Sequence, residues 1–367
     1  MPIFQNQRRL FWVTLAASLL SISANAPAQF NLAQSNLARS NLASSSLTQA
    51  STAMIAEKHP GMRALAKLAA EGDATREKNY LALLDSAVYQ QNIIDAISKP
   101  AEAKPWKDYR PIFLTPARIA GGVKFWRENK AALTRAEAQY KVPAHYIVAI
   151  IGVETLYGSN VGKYRVLDAL TTLALYYPPR AEFFAGELRQ FLKFSQVPSI
   201  QLDATKAVGS YAGAMGLGQF IPTSYVNYAV DGDGDGLIDL WQSKSDITAS
   251  VANYFSVHGW QYGEPVVAST KIAQHASAVA DMGVLPTTTV KALAKLGYRA
   301  QRTAGQPKVK PNAKASMIVL EGEQGPEHFI SFQNFYVITR YNRSPLYAMA
   351  VHQLAGEIAR EMQAGAR

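Results

Sequence analysis

The chain has 367 residues, 48% hydrophobic and 17% charged, enough for one large domain or two modest ones around a sizeable core. It contains no cysteine, which excludes disulfides, thiolate metal sites, a Cys nucleophile and a Cys-linked lipid anchor. A formal net charge of +10 suits an anionic partner such as a cell-wall polymer or a membrane surface, and no recognition-helix, RNA-binding or zinc-finger signature points to nucleic acid.

In chain order, the first element reads as an export signal over residues 1–28. Arg8 and Arg9 form its basic head, and Leu10 to Ile22 is an apolar stretch too short to span a bilayer comfortably. Ala24-Asn25-Ala26 and Ala26-Pro27-Ala28 both offer small-residue cleavage sites. Residues 29–56 carry a five-residue repeat that begins at Asn31, Asn36 and Asn41. That period fits neither a helix nor a strand and is too short for a solenoid, so the segment reads as a flexible spacer.

From 57 to 260 the pattern is mainly helical. Ile119, Val123, Phe125, Trp126 and Leu133 recur at helical spacing and predict helix across Thr115 to Tyr140. Next comes the run Tyr146 to Glu154, in which Glu154 is the sole charge. Pro143 suits the first helical turn and Gly158 the C-terminal stop. Apolar residues on every side predict a buried helix. Ile147, Ile150 and Ile151 share the face of Glu154. A carboxylate on such a face is costly to ionise, so its pKa rises, and a carboxylic acid still protonated near neutral pH is what a general acid requires. The plain alternative is a helix-end Glu turned to solvent or paired with an Arg. Leu167 to Tyr177 and Ala181 to Phe194 predict two further helices, broken by Pro178-Pro179.

Gly209 to Pro222 is rich in small residues, with Ser210 and Gln219 set among apolar neighbours. It suits a groove floor where a sugar lies against backbone, or simply tight packing. Asp231-Gly232-Asp233-Gly234-Asp235-Gly236 places oxygen ligands at positions 1, 3 and 5 and glycine at 6, the pattern of an EF-hand-type calcium loop. Gln242 stands where the usual bidentate Glu would be, and Asp246 closes the shell if the loop is longer. One loop suits a structural Ca²⁺ clamp better than a sensor. Residues 261–330 change character. Pro265 to Ala268, Ser316 to Leu320 and His328 to Phe332 predict strands, Thr287 to Leu296 a helix, and Lys308 to Lys314 a basic loop. In 331–367, Phe335 to Thr339 predicts a last strand before a closing helix from Pro345 to about Met362. The expected organisation is a mainly α catalytic domain (57–260), a small α+β insertion (261–330) and a C-terminal return (331–367).

These motifs, in this order, resemble the membrane-bound lytic murein transglycosylase B family of bacterial cell-wall enzymes. The matching stretches are Gly152 to Gly158, Gly213 to Gly216 with Gln219 to Pro222, Asp239-Leu240-Trp241, Val251 to Phe255, His258-Gly259-Trp260, and Ile338 to Asn342. The resemblance covers about residues 57 to 365. It implies a lysozyme-like helical domain with an EF-hand-like calcium loop. It implies cleavage of the β-1,4 bond between N-acetylmuramic acid and N-acetylglucosamine in peptidoglycan without water, leaving 1,6-anhydro ends. Glu154 matches the sole acid/base. Ser210, Gln219, Tyr254, Tyr341 and Asn342 match groove positions that hold sugar, and Tyr109 and Arg180 match as well. The metal loop maps onto Asp231, Asp233, Asp235, Leu237 through its carbonyl, and Asp246, with no organic cofactor. Two features depart from the family. Pro179-Arg180 stands where two arginines are common, and no lipoprotein Cys is present, as in a soluble periplasmic form. A monomer acting on glycan strands is implied, with cell-wall synthesis or division proteins as candidate partners.

Two other functions fit parts of the pattern. A muramidase would need a second carboxylate facing Glu154, whereas Glu182 and Glu187 read as solvated or Arg-paired. A non-catalytic wall-binding protein would leave Glu154 idle. His145, His258 and His352 lack metal-ligand spacing and read as structural.

Overall fold

A computed structural model describes residues 59–99, 104–301 and 307–365. The expected export signal and spacer lie outside the described residues. The chain opens with α1 (Pro60–Ala70), α2 (Ala74–Asp85) and α3 (Gln91–Ser98), followed by α4 (Trp106–Phe113), α5 (Pro116–Glu128) and α6 (Lys130–Tyr140). The helix expected across Thr115 to Tyr140 is thus two. Asn129 leaves the helical region at φ −112° and ψ 24°, and its side-chain amide donates to the Phe125 carbonyl at 2.8 Å. The same carbonyl also accepts the Asn129 backbone N–H at 3.0 Å, so Asn129 caps the helix end with both its main chain and its side chain.

Next is α7 (Ala144–Thr155), whose residues from Tyr146 to Thr155 are all buried. Pro143 is its N-cap rather than its first turn. The helix stops before Gly158, because Leu156 and Tyr157 both take left-handed conformations at φ 49° and 59°. Non-glycine residues adopt that region at a cost, and two in succession mean that surrounding contacts impose it. After β1 (Tyr164–Arg165) come α8 (Val166–Tyr176) and α9 (Ala181–Phe194), separated by a tight 3₁₀ turn at Pro178–Arg180, as the Pro-Pro pair predicts. β2 (Val208–Gly209) pairs antiparallel with β1. α10 (Pro222–Tyr228) and α11 (Lys244–Val257) complete this helical body.

A small α+β unit follows: β3 (Val267–Ile272), β4 (Thr288–Thr289), α12 (Val290–Lys295), β5 (Tyr298–Ala300), β6 (Lys314–Gly322) and β7 (Gly325–Ser331). Its sheet has the order β4-β6-β7-β3-β5, and each pair is antiparallel. The two-residue period of β6 decides which core each side chain joins. Ala315 and Met317 join Leu293, Tyr298 and Phe332 in a small separate core, while Ile318 and Leu320 pack on the helical body. The chain then returns as α13 (Gln333–Tyr341) and α14 (Pro345–Ala364). The strand expected at Phe335 to Thr339 is therefore helical. Its β-branched and aromatic residues favour strand in isolation, but Phe335, Val337 and Ile338 are buried in the helical core, and packing overrides propensity.

The closing helix α14 lies against α7, with Tyr347, Ala348, Val351, Leu354 and Ile358 buried. Each fully buried Ile or Leu in this contact contributes roughly 2 kcal/mol. The hydrophobic effect thereby fixes the far end of the chain beside Glu154.

Candidate active site

Glu154 occupies the last turn of α7 and is 7% exposed. Several bonds lock that turn. Thr155 Oγ1 donates toward the Ile151 and Leu217 carbonyls at 3.2 and 3.0 Å and accepts from Gly158 N at 3.1 Å. Arg118 Nη1 donates to the Gly152 carbonyl at 2.8 Å, placing a cation at the negative end of the helix. Glycine is required at 152, because a Cβ there would lie 2.5 Å from the Tyr157 hydroxyl oxygen. The turn that carries Glu154 therefore has little freedom, which suits a group that must meet a bond at fixed geometry.

Burial raises the Glu154 carboxyl from 4.5 to about 7, partly opposed by a hydrogen bond from Tyr347. The Tyr347 hydroxyl donates to Glu154 Oε1 at 2.5 Å across 193 residues of chain. Tyr109 and Tyr341 stand close enough that burial first, and then the Glu154 charge, push both phenols upward. Among the described residues, no carboxylate acts on Glu154, and no other carboxylate lines its cavity.

That cavity brings together most of the expected groove residues: Arg180, Ser210, Gln219, Tyr341 and Asn342 line it beside Glu154. Ser210 Oγ accepts from Ala212 N and Ala214 N at 3.3 and 3.0 Å. A pair of bonds between Met215 and Phe220, each 2.9 Å, closes the next turn. Within it, Gln219 has φ 51°, and its amide donates to the Val161 and Gly216 carbonyls at 3.2 and 3.0 Å. These two bonds leave its side-chain oxygen for a ligand. Asn342 Oδ1 accepts from Ser344 N at 3.1 Å. Tyr254 lies in a neighbouring cavity that shares Phe183, Gln219, Ile221 and Tyr341 with the first, so the two form one cleft. Its hydroxyl donates to the Arg340 carbonyl at 2.6 Å. Tyr109 stays behind the wall, its ring tilted 40° against that of Phe113 with centroids 5.1 Å apart.

The acidic loop is held together by its own carboxylates. Asp231 accepts from the backbone N–H groups of Asp233, Gly234 and Gly236 at 2.6–3.2 Å. The Asp246 carboxylate, 1% exposed on α11, accepts from Gly232 N and Asp239 N, each at 2.8 Å. Carboxylate oxygens of Asp231, Asp233 and Asp246 lie within 4.8 Å of one another. Asp235, Leu237 and Asp239 line the depression beside Asp233 and Asp246, and Asp239 also caps the backbone at Trp241 and Gln242.

One sequence expectation changes, and one residue beside Glu154 had escaped the sequence reading. Glu187 is neither solvated nor Arg-paired: it is 5% exposed and accepts from Thr223 N and Oγ1 at 2.8 and 2.7 Å, tying α9 to α10. Tyr347 carried no signal beyond its position in a predicted helix. Its i+6 spacing from Tyr341 gives no common helical face, and only the turn at Asn342 to Ser344 brings both to Glu154. His145 and His352 are half-buried by surface area, and desolvation lowers both to about 4; His352 also bonds the Tyr146 hydroxyl at 2.8 Å, consistent with a structural role.

Comparison with known proteins agrees with this architecture. Residues 57–356 match the transglycosylase SLT domain family. The chain is 44% identical over 254 residues to membrane-bound lytic murein transglycosylase B of Escherichia coli (strain K12), covering 69% of this chain and 67% of that protein. The catenated lytic transglycosylase SltB1 from Pseudomonas aeruginosa is 46% identical with a TM-score of 0.77, covering 83% of this chain and 99% of that one. The Escherichia coli lytic transglycosylase Slt35, in complex with calcium, is 37% identical with a TM-score of 0.74, covering 83% and 94%. The fold is accordingly mainly α and lysozyme-like.

Proposed function

Because the chain belongs to the transglycosylase SLT domain family and is a peptidoglycan lytic transglycosylase, we propose that Glu154 acts alone as both acid and base and leaves a 1,6-anhydro end. The observation carrying this reading is a buried carboxyl raised to about 7, with Tyr347 as its hydrogen-bond donor. Protonated Glu154 gives its proton to the glycosidic oxygen between N-acetylmuramic acid and N-acetylglucosamine, and the C1–O bond breaks. The resulting carboxylate takes the proton of the muramoyl C6 hydroxyl as that oxygen bonds to C1. One proton is given and one recovered, so neither water nor a second carboxylate is consumed. The hydrogen bond from Tyr347 steadies the ionised form midway.

Ser210, Gln219, Tyr341 and Asn342 are the residues we assign to holding the sugar, with Tyr254 and Arg180 further along the cleft and Tyr109 supporting the wall. A muramidase would use paired carboxyls about 5 Å apart, or wider with room for water. The bonds of Glu187 to Thr223 count against it as that partner. A binding protein without activity would have no use for a carboxyl held in a costly apolar site.

The donor set of the acidic loop is all oxygen, with three convergent carboxylates, and fits Ca²⁺. Asp231, Asp233 and Asp246 would hold the ion, with Asp235 and the Leu237 carbonyl completing the shell. The ion would neutralise the clustered charge and fasten the loop to α11, which carries Tyr254. We assign 57–260 and 331–367 to one catalytic unit, interrupted by 261–330, and we place the exported, monomeric protein in the periplasm.

Digestion of purified peptidoglycan by the wild type and by Glu154→Gln, read by mass spectrometry, tests the reading. Anhydromuropeptides from the wild type and none from the variant are expected. Water-added reducing ends would make the enzyme a muramidase, and intact binding without products would make it a wall-binding protein.

A further inference from the structure

We propose that Tyr157 is a positioning residue: latched to Arg118, it holds the turn just after Glu154 and so keeps the Glu154 carboxyl in line with the Tyr347 hydroxyl. The inference rests on the transglycosylase reading above and names a residue on which the aim of its acid depends.

The chain leaves α7 through three consecutive residues at positive φ: Leu156 at 49°, Tyr157 at 59° and Gly158 at 92°. Glycine takes that region freely, whereas leucine and tyrosine do so at a cost, and a helix end of this kind ordinarily needs one such residue. Leu156 is 41% exposed, so its own burial does little to offset that cost. A strained turn persists only where surrounding contacts over-determine it. Here those contacts come through Tyr157.

The Tyr157 ring is keyed into a slot walled by glycines. A Cβ on Gly121 or Gly122 of α5 would lie 2.9 or 2.7 Å from it, and one on Gly152 of α7 only 2.5 Å. The ring lies against Phe125 with centroids 5.8 Å apart. Its hydroxyl donates to the Arg118 carbonyl at 2.9 Å. Burial raises the pKa of that phenol, so it keeps its proton as a donor throughout the neutral range. Arg118 answers in the other direction, from Nη1 to the Gly152 carbonyl. The two bonds straddle Glu154, one reaching α7 two residues before it and the other leaving three residues after it.

Arg118 is itself 7% exposed, and among the described residues it forms no ion pair. Its Nε is buried without a hydrogen-bond partner, and its guanidinium lies over the Phe113 ring at 5.1 Å. An unpaired buried cation, two left-handed residues and three crowded glycines are a costly way to end a helix. Such departures from local rules collect where position matters more than stability. What stands to gain is the contact between Glu154 and Tyr347, which joins two helices at 2.5 Å and tolerates little rotation of the α7 end.

The test measures kcat and KM on purified peptidoglycan, with Tm alongside, for wild type, Tyr157→Phe, Gly121→Ala, Tyr347→Phe and the double variant of Tyr157→Phe with Tyr347→Phe. Tyr157→Phe keeps the ring and removes the latch bond. It is expected to lose about tenfold in kcat, with KM held within about twofold. Gly121→Ala adds a methyl group that meets the Tyr157 ring, in a helix interior where alanine is the better former. Its kcat is expected to fall in the same way with no loss of Tm, an outcome that packing alone does not produce. In the double variant the losses are expected to overlap, leaving kcat about tenfold rather than about a hundredfold below wild type. A kcat close to wild type in Tyr157→Phe or Gly121→Ala, a loss carried by KM, or losses that multiply in the double variant would overturn the inference and leave the transglycosylase reading standing. The products test that reading separately: water-added ends from wild type would overturn it whatever the rates.

Discussion

Replacing Glu154 by Gln should make the protein more stable at alkaline pH while abolishing its activity. A carboxyl whose folded pKa is raised stabilises the fold fully below its unfolded pKa, here 4.5, and loses that contribution as pH rises through about 7. At about 1.4 kcal/mol per pH unit, the ionised group costs the native state roughly 3 kcal/mol above pH 7. Between pH 5 and pH 8 the difference is about 2–3 kcal/mol. Glutamine does not titrate, and its oxygen can still accept from Tyr347, so the variant escapes the penalty. Unfolding entropy of about 2 cal/mol/K per residue over roughly 300 residues converts this to about 4 °C. Thermal unfolding of both proteins at the two pH values checks it, the Tm gap between variant and wild type widening by about 4 °C at pH 8. A gap independent of pH would refute the argument, since Glu154 would then ionise in the fold as easily as in water.

Tyr347→Phe removes the hydrogen bond that holds the Glu154 pKa down, so burial acts unopposed. The alkaline limb of kcat/KM should move to higher pH, and kcat should fall about tenfold because the ionised form loses its partner; a pH-rate profile on peptidoglycan decides, and a limb moving downward would be the wrong sign. Chelation of calcium should lower Tm by several degrees, in line with about 3 kcal/mol for an ion at a hundredfold its Kd, and Asp246→Asn should erase that response; calorimetry with and without chelator measures both.

The helix that carries Glu154 was legible because its signal is local. One charge ends a run with no other, and burial of the whole run fixes what that charge experiences. The acidic loop was legible for the same reason, since alternate aspartates and Gly236 define their own turn. Asn129, by contrast, breaks α5 from α6 with neither proline nor glycine, through a side-chain bond to its own helix end. Glu187 looked like a surface residue until the start of α10 folded over it and supplied Thr223. Tyr347 is the clearest case. Its role depends on which helix packs on α7, and that is decided by the summed burial of α14 rather than by any spacing near Glu154.

Glu154 is made early in the chain, and its partner Tyr347 comes 193 residues later, beyond the whole sheet unit. Tyr341 and Asn342 also follow that unit. A nascent chain released before α13 would carry the acid without its donor, without half of its cleft wall, and with the apolar flank of α7 uncovered. The cleft around Glu154 is therefore complete only when the chain has been made almost to its end, and a C-terminal nick near Ser344 is expected to separate Glu154 from Tyr347.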